Sequence, residues 1–573
     1  MKPVMITIDG LRVEAQAGTP VLEAAKKAGI KIPTLCYLKG INEIGACRIC
    51  LVEVQGVRTL QASCVTPVSE GMVVRTNTPA IRQARKLNLE LIMSNHLREC
   101  LTCPRSTSCE LQQLASDLGI EELRFAGEMP PYGPDLSSPS LVRDPRKCIL
   151  CRRCVSVCEK VQQVCAIAPQ ERGFNTVIAP AFLDPLGSVA CINCGQCALV
   201  CPTAAIHEKD QVAQVWAALA DPQKHVVVQT APATRVSIGE MFGLEPGSVA
   251  TGKMVAALKR LGFDRVFDTD FTADLTIMEE GSELLRRLQE GGQLPLITSC
   301  SPGWIKFIEH FYPDMLPHLS SCKSPQQMFG ALAKTYYAQK AGLDPADIFV
   351  VSIMPCTAKK FEAGREEMNG SGHTDVDVVL TTRELGRMLK EAGIDFNALA
   401  EEEYDAPFGI TTGAGVIFGA TGGVMEAALR TAYELVTGSS LVSMDFQEVR
   451  GLDGVKEASV NLNGTTLNVA VAHGLANARE LLERVKSGRQ YHFIEIMCCP
   501  GGCIGGGGQP IPTDREIREK RSAGIYRADA SMPLRKSHEN PAVQALYKEF
   551  LGEPLGHKSH QLLHTSYTPR DRH

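Results

Sequence analysis

The chain has 573 residues, a formal net charge of −5 and an isoelectric point near 6.3. That length exceeds what one hydrophobic core can organise and predicts roughly three to five domains. The acidic balance argues against nucleic acid as a partner, and no apolar run approaches the roughly 20 residues of a membrane span.

From the N-terminus, ITIDGLRVEA (6–15) reads as a hairpin around an Asp-Gly turn, and VLEAAKKAG (21–29) as a short helix. Nothing there reads as a signal or twin-arginine peptide, so a cytoplasmic setting is expected. Thiols stay reduced in that compartment, and the 22 cysteines, many in close groups, then point to metal rather than disulfides. Cys36, Cys47, Cys50 and Cys64 follow at C-x10-C-x2-C-x13-C, closing a small β-rich domain over residues 1–78. Four thiolates in one small domain suit a 2Fe–2S cluster. A structural zinc is the competing reading, although all-thiolate zinc sites typically use two close CxxC pairs.

A helical stretch, IRQARKLNLELIMSNH (81–96), leads into His96-x3-Cys100-x2-Cys103-x5-Cys109. One imidazole and three thiolates can hold a cubane, making it less negative than four thiolates would. By itself, His96 would be an ordinary surface or core histidine. This second unit spans 79–125. The Pro/Ser-rich passage GEMPPYGPDLSSPS (127–140) reads as a linker opening a third unit, 126–209.

The third unit carries two ferredoxin-like runs, Cys148-x2-Cys151-x2-Cys154-x3-Cys158 and Cys191-x2-Cys194-x2-Cys197-x3-Cys201-Pro202. In two-cluster bacterial ferredoxins the fourth cysteine of each run serves the other cluster. One cubane is therefore expected on Cys148, Cys151, Cys154 and Cys201, and another on Cys191, Cys194, Cys197 and Cys158. Cys165 is left over and reads as a buried small hydrophobe.

From about 210 to 573, apolar strands (HVVVQTAP, VDVVLTT, LNVAVAHG) alternate with amphipathic helices (GKMVAALKRLG, SELLRRLQEGG, RELGRMLKEAG). This α/β region is large enough for two sheet lobes around a buried site. The tail after about 515 reads as polar and irregular, with KSHENPAVQALYKEFLG as a closing helix. Three cysteine-bearing stretches stand out here: LPLITSC300SPGW, IFVVSIMPC356TAKKFE and HFIEIMCC499PGGC503IGGGGQP. Each follows an apolar run that reads as a buried strand of a mostly parallel sheet. Residues just past such strands converge on a crevice, the usual ligand site. The glycine runs GAGVIFGATGG and GCIGGGGQP lack a clean G-x-G-x-x-G with its acidic partner; close backbone contact with a cluster is the expected role.

These three stretches resemble the signature motifs of the iron-only (FeFe) hydrogenases, and the resemblance extends over nearly the whole chain. The implied fold class is multidomain α+β and α/β. It comprises a 2Fe–2S ferredoxin-like β-grasp domain, a 4Fe–4S domain with one His and three Cys ligands, a two-cluster bacterial ferredoxin-like domain and a two-lobed α/β catalytic domain. The N-terminal spacing resembles the 2Fe–2S domain of the large hydrogenases and of a complex I subunit, and the same resemblance makes His96 a ligand. The implied cofactors are one 2Fe–2S cluster, three accessory 4Fe–4S clusters and the H-cluster, a cubane joined to a two-iron subsite carrying CO, CN and azadithiolate. Cys356, Cys499 and Cys503 match cubane ligands, with Cys503 bridging. Lys359 matches the lysine that bonds a cyanide ligand, while Pro232, Gln326, Met354, Gly419 and Met497 match the subsite lining. Glu280 and Glu283, one helical turn apart, match a proton relay with Ser320 and Glu362.

The resemblance implies interconversion of H2 with protons and electrons. Ferredoxin and flavin/NAD(P)-binding subunits of a hetero-oligomer are the expected partners; the ending LLHTSYTPR resembles multimeric, electron-bifurcating enzymes. A non-catalytic electron wire would account for residues 1–208 but leave the three C-terminal motifs without work. Iron–sulfur assembly factors lack the long accessory N-terminus, and hydrogen sensors usually add a PAS-like domain. A stand-alone ferredoxin hydrogenase is the nearer alternative. The chain departs from the family at one point. Where many members read TSCCPGW, it reads Thr298-Ser-Cys300-Ser301-Pro-Gly-Trp304. A serine hydroxyl is a poor iron ligand, so Cys300 is the favoured fourth cubane thiolate, with Ser301 or water completing proton transfer. The reverse assignment, Cys300 as relay, remains the alternative.

Overall fold

The computed structural model describes residues 2–572 apart from 440, 442, 443, 463 and 464. Strands β1 (Pro3–Ile8), β2 (Leu11–Gln16), β3 (Leu51–Val54), β4 (Gln61–Ala62) and β5 (Val73–Arg75) form one mixed sheet ordered β2-β1-β5-β3-β4. The expected hairpin is β1–β2, pairing Ile6 with Val13. Its inward residues Val4, Ile6, Ile8, Val13 and Ala15 pack on the helix Val21–Lys27, together with Cys50 and Cys64. The helix Pro79–Ser94 starts on a Thr78 cap whose side chain accepts from the Ile81 amide. Leu35, Ile49, Leu89, Leu111 and Leu114 join this sheet to the next unit in one small core.

The third unit is built on two short ribbons, β6 (Leu141–Arg143) with β9 (Ile206–Glu208), and β7 (Ala168–Gln170) with β8 (Val177–Ala179). Cys165, expected inside, is exposed and holds φ 55° in the loop before β7. A left-handed turn there throws the side chain outward, a reversal the local sequence does not announce.

Two four-stranded sheets make the catalytic region. The first, β11-β10-β13-β14, joins β10 (His225–Thr230), β11 (Arg265–Asp268), β13 (Ile348–Met354) and β14 (Val378–Thr381), all parallel. Its strands are β-branched and buried almost throughout, as both-faces-covered parallel strands require. The second, β12-β17-β16-β15, joins β12 (Leu296–Ile297), β15 (Val455–Leu462), β16 (Thr465–His473) and β17 (Phe493–Met497), with β15 antiparallel at its edge. β15 escaped the sequence reading because an edge strand, VKEASVNL, need not be apolar.

The tail corrects a second expectation. Residues after 515 are not irregular: Arg515–Ser531 is a helix, followed by shorter ones at Pro541–Leu546 and His557–Leu563. The buried face of the first includes Arg521 and Asp529, so it shows little apolar periodicity. Arg521 pairs with Glu240 at 2.7 Å, and Asp529 with Arg430 at 2.8 Å. No helix among the described residues is long and apolar enough to cross a membrane.

Candidate metal centre and accessory sites

Four strand ends aim at one crevice between the two sheets. β10 delivers Pro232, β13 delivers Pro355 and Cys356, β12 delivers Cys300 and Ser301, and β17 leads to Cys498 and Cys499. After β12, Pro302 starts the helix Pro302–Phe311, and the buried Trp304 donates its indole N–H to the Thr298 carbonyl at 3.2 Å. Burying Phe307 on the same helix contributes about 1.5–3 kcal/mol. The Cys300 loop is thus fixed at both ends. Gly501 and Gly502 hold φ 83° and 87°, a left-handed pair that turns the chain from Cys499 to Cys503.

Cys300, Ser301, Cys356, Cys499 and Cys503 line one cavity, which Pro232, Gln326, Met354, Lys359 and Met497 also border. Gly419 packs a layer back, where a Cβ would stand 2.8 Å from Ile525 Cδ1 and 3.2 Å from the Ala233 amide. Among charged groups Cys499 and Cys503 act most strongly on the Cys356 thiol. On Cys300 the strongest charged influence is instead Glu280, followed by Lys359 and Cys503. Ser301 faces the third motif, its Oγ accepting from the Cys498 amide at 3.2 Å.

Behind Cys300 runs a file of buried proton-carrying groups on the helix Thr269–Glu290. Burial, and then the neighbouring Glu283 carboxylate, pushes Glu280 up to about 8, so it is protonated at neutral pH. Ser320 stands beside Glu280 and donates Oγ–H to Glu283 Oε2 at 2.9 Å. Arg287 donates to Glu283 Oε1 at 2.7 Å from the part-exposed end. Glu362 does not join this file. It accepts from Lys359 at 2.8 Å, Ser324 at 2.8 Å and Gln326 at 3.0 Å. That network fixes Lys359, whose Nζ also donates to the Cys300 carbonyl at 3.2 Å.

Two residues beside the file were not anticipated. Cys322, fully buried, donates its amide N–H to the Ser320 hydroxyl at 3.2 Å. Tyr567 donates to the Ser320 carbonyl at 3.0 Å. Only the second had a sequence signal, an aromatic residue in the otherwise polar tail.

The accessory cysteines gather as the crossed ferredoxin pattern requires. Cys148, Cys151, Cys154 and Cys201 surround one cavity, and Cys158, Cys191, Cys194 and Cys197 another. In the first domain Cys36 lies beside Cys47, and Cys50 beside Cys64. His96 is largely buried; its Nδ1 has no hydrogen-bond partner within the protein, and burial lowers its pKa to about 4. Cys100 opens a 3-10 turn that Cys103 closes, and Cys109 caps the helix Glu110–Asp117.

These donor sets fit iron–sulfur clusters. Burial pushes Cys148, Cys151, Cys158 and Cys503 up to about 12, so cations are needed to hold them as thiolates. A single tetrahedral zinc would draw its thiols to roughly 3.8 Å of one another, from Zn–S bonds of about 2.3 Å. Among the described residues no three cysteines lie within 4.8 Å; the metal-type group that does is Glu434, His538 and Glu539. A neutral imidazole with an orphaned Nδ1 is likewise a ready ligand.

Comparison with known proteins agrees along the length of the chain. Residues 224–507 match the iron only hydrogenase large subunit, C-terminal domain, and 515–570 match the iron hydrogenase small subunit. A 2Fe-2S iron-sulfur cluster binding domain matches 1–79, the NADH-ubiquinone oxidoreductase-G iron-sulfur binding region 85–124, and a 4Fe-4S dicluster domain 144–209. The chain is 54% identical to the NADP-reducing hydrogenase subunit HndD of Solidesulfovibrio fructosivorans, covering 100% of both. It is 42% identical to iron hydrogenase 1 of Clostridium pasteurianum, over 98% of this chain and 99% of that one. A solved apo FeFe-hydrogenase from Chlamydomonas reinhardtii superposes with a TM-score of 0.58 at 49% identity, covering 63% of this chain and 100% of that one.

Proposed function

Because the chain belongs to the iron-only hydrogenases, whose catalytic subunits interconvert H2 with protons and electrons, we propose that Cys356, Cys499 and Cys503 hold its catalytic cubane while Cys300 hands protons to and from the site. One observation carries this reading. Among charged groups Glu280 acts most strongly on Cys300, whereas Cys499 and Cys503 act most strongly on Cys356. The role favoured from sequence, Cys300 as fourth cubane thiolate, yields to the relay role on that ground.

The bound H-cluster supplies the redox chemistry that makes and splits H2. The chain's residues supply the rest. A proton taken up beside Arg287 passes from Glu283 through the Ser320 hydroxyl to Glu280 and on to the Cys300 thiol. Each hop joins neighbouring buried groups, which keeps bulk water out. Lys359, held by Glu362, points a buried ammonium at the anionic site. Gln326 keeps its carbonyl oxygen unpartnered by protein and its amide on Glu362. Ser301 would supply the remaining cubane ligand, and the Cys498 N–H donated to its Oγ lowers the cost of an alkoxide.

Electrons run through the crossed ferredoxin-like sets, the His96, Cys100, Cys103 and Cys109 set, and the Cys36, Cys47, Cys50 and Cys64 set. Similarity to an NADP-reducing hydrogenase subunit and to a complex I iron–sulfur region supports a multisubunit assembly. In it, flavin and NAD(P) sit on partner subunits, ferredoxin is a second partner, and electrons bifurcate.

Cys300→Ala tests the assignment. The matured variant should keep the parent's iron content and its infrared carbonyl and cyanide bands, and lose turnover at least a hundredfold. Loss of about four irons would make Cys300 a ligand instead.

A further inference from the structure

Cys498 belongs to none of the ligand sets above, yet it is a buried thiol at the junction of two of them. It lines one cavity together with Cys194 on one side and Cys499 on the other. Cys194 stands in the ferredoxin-like set with Cys158, and Cys499 in the catalytic set. The space for the thiol is provided by Gly303, where a Cβ would lie 2.7 Å from the Cys498 sulfur. Gln162, from the ferredoxin-like unit, donates its Nε2–H to Cys498 Sγ at 3.9 Å. The sulfur therefore accepts from Gln162 and has its own proton left to give.

We propose that Cys498 donates its S–H to the Cys194 thiolate and forms the contact through which electrons cross between the second ferredoxin-like cluster and the catalytic cubane. This rests on the ligand reading given above for Cys194 and Cys499. A hydrogen bond to a cluster sulfur favours the more negative, reduced state and raises the potential. The thiol keeps its proton throughout. One electron leaves one cluster and arrives at the other, no bond forms or breaks, and Cys498 is neither oxidised nor reduced. It is a positioning residue, acting on the clusters through their ligands.

The test uses the full-length, fully matured chain with Cys498→Ala and Cys498→Ser. The midpoint of the second ferredoxin-like cluster is followed by electron paramagnetic resonance in a redox titration. The alanine variant should need a lower potential, the reduced-to-oxidised ratio at a fixed potential falling roughly threefold, about 28 mV for one electron. Serine retains a donor and should restore most of the shift. Gln162→Leu removes the partner that orients the thiol and should move the midpoint in the same direction, which keeps the test open if the alanine variant fails to fold. Iron content and infrared bands should match the parent in all three. An unchanged midpoint in the alanine and leucine variants overturns the proposal. So does loss of about four irons from the alanine variant, which would make Cys498 a ligand. Absence of the accessory clusters from the parent protein would defeat the underlying ligand reading instead.

Discussion

Gly507 lies so close to Cys194 that a Cβ on it would stand 2.2 Å from the Cys194 carbonyl oxygen. The neighbouring glycines are equally confined: a Cβ at Gly506 would meet the Pro355 carbonyl at 2.2 Å, and one at Gly195 the Thr357 hydroxyl at 2.4 Å. The glycine run after Cys503 is therefore a thin wedge of backbone between a cluster loop and the catalytic loops.

Gly507→Ala should push those loops apart, since the obstructing atom is backbone and cannot swing away. We expect the variant to retain its iron, while turnover with ferredoxin as donor falls at least tenfold. A small artificial donor that reaches the catalytic centre directly should support turnover within about threefold of the parent. Equal losses with both donors would place the damage at the catalytic centre.

Glu280 predicts a pH dependence. Its pKa of about 8 lies above the ordinary 4.5, so between those values the native state binds more protons than the unfolded state. Stability from this group therefore falls as pH rises across that window and levels off above about 8. Glu280→Gln should raise the apparent Tm, relative to the parent, more at pH 8 than at pH 5. In the parent, H2 production should decline as pH rises through about 8, where the protonated carboxyl is lost.

Glu283→Gln should preserve the clusters and cut turnover by about a hundredfold or more, because an amide cannot carry the proton exchanged with Ser320. Near-parental H2 production by this variant would remove Glu283 from the path.

The ferredoxin-like unit is clamped to the catalytic region by Glu208, which accepts from Arg383 at 2.6 Å and Arg387 at 2.8 Å. Arg383 also donates to the Gly507 and Gln509 carbonyls at 2.9 and 2.6 Å. Arg383→Met leaves the buried Glu208 carboxylate with Arg387 alone and should cost up to about 3–5 kcal/mol, read by denaturant unfolding of the anaerobic protein.

The parallel strands were legible because both faces are covered: IFVVSIM is apolar from end to end and forms β13 over its whole length. The two crossed cysteine groupings around their cavities were legible because their spacing is a local property of the chain. Burial of Arg521 and Asp529 hid the helix Arg515–Ser531, since its inner face is held by ion pairs with Glu240 and Arg430 rather than by apolar contacts. The influence of Glu280 on Cys300 comes from a separate helix, and no local pattern encodes that. Glu362 was grouped with the relay, but its position is set by Lys359 one helical turn away and by Ser324 and Gln326.

Iron analysis combined with infrared spectroscopy of the anaerobic, fully matured protein tests the central claim most directly. One two-iron cluster, three accessory cubanes and a six-iron catalytic centre give about 20 irons per chain, with carbonyl and cyanide bands and H2 turnover. Only about 14 irons, no such bands and no H2 turnover would leave the chain an electron carrier and contradict the account.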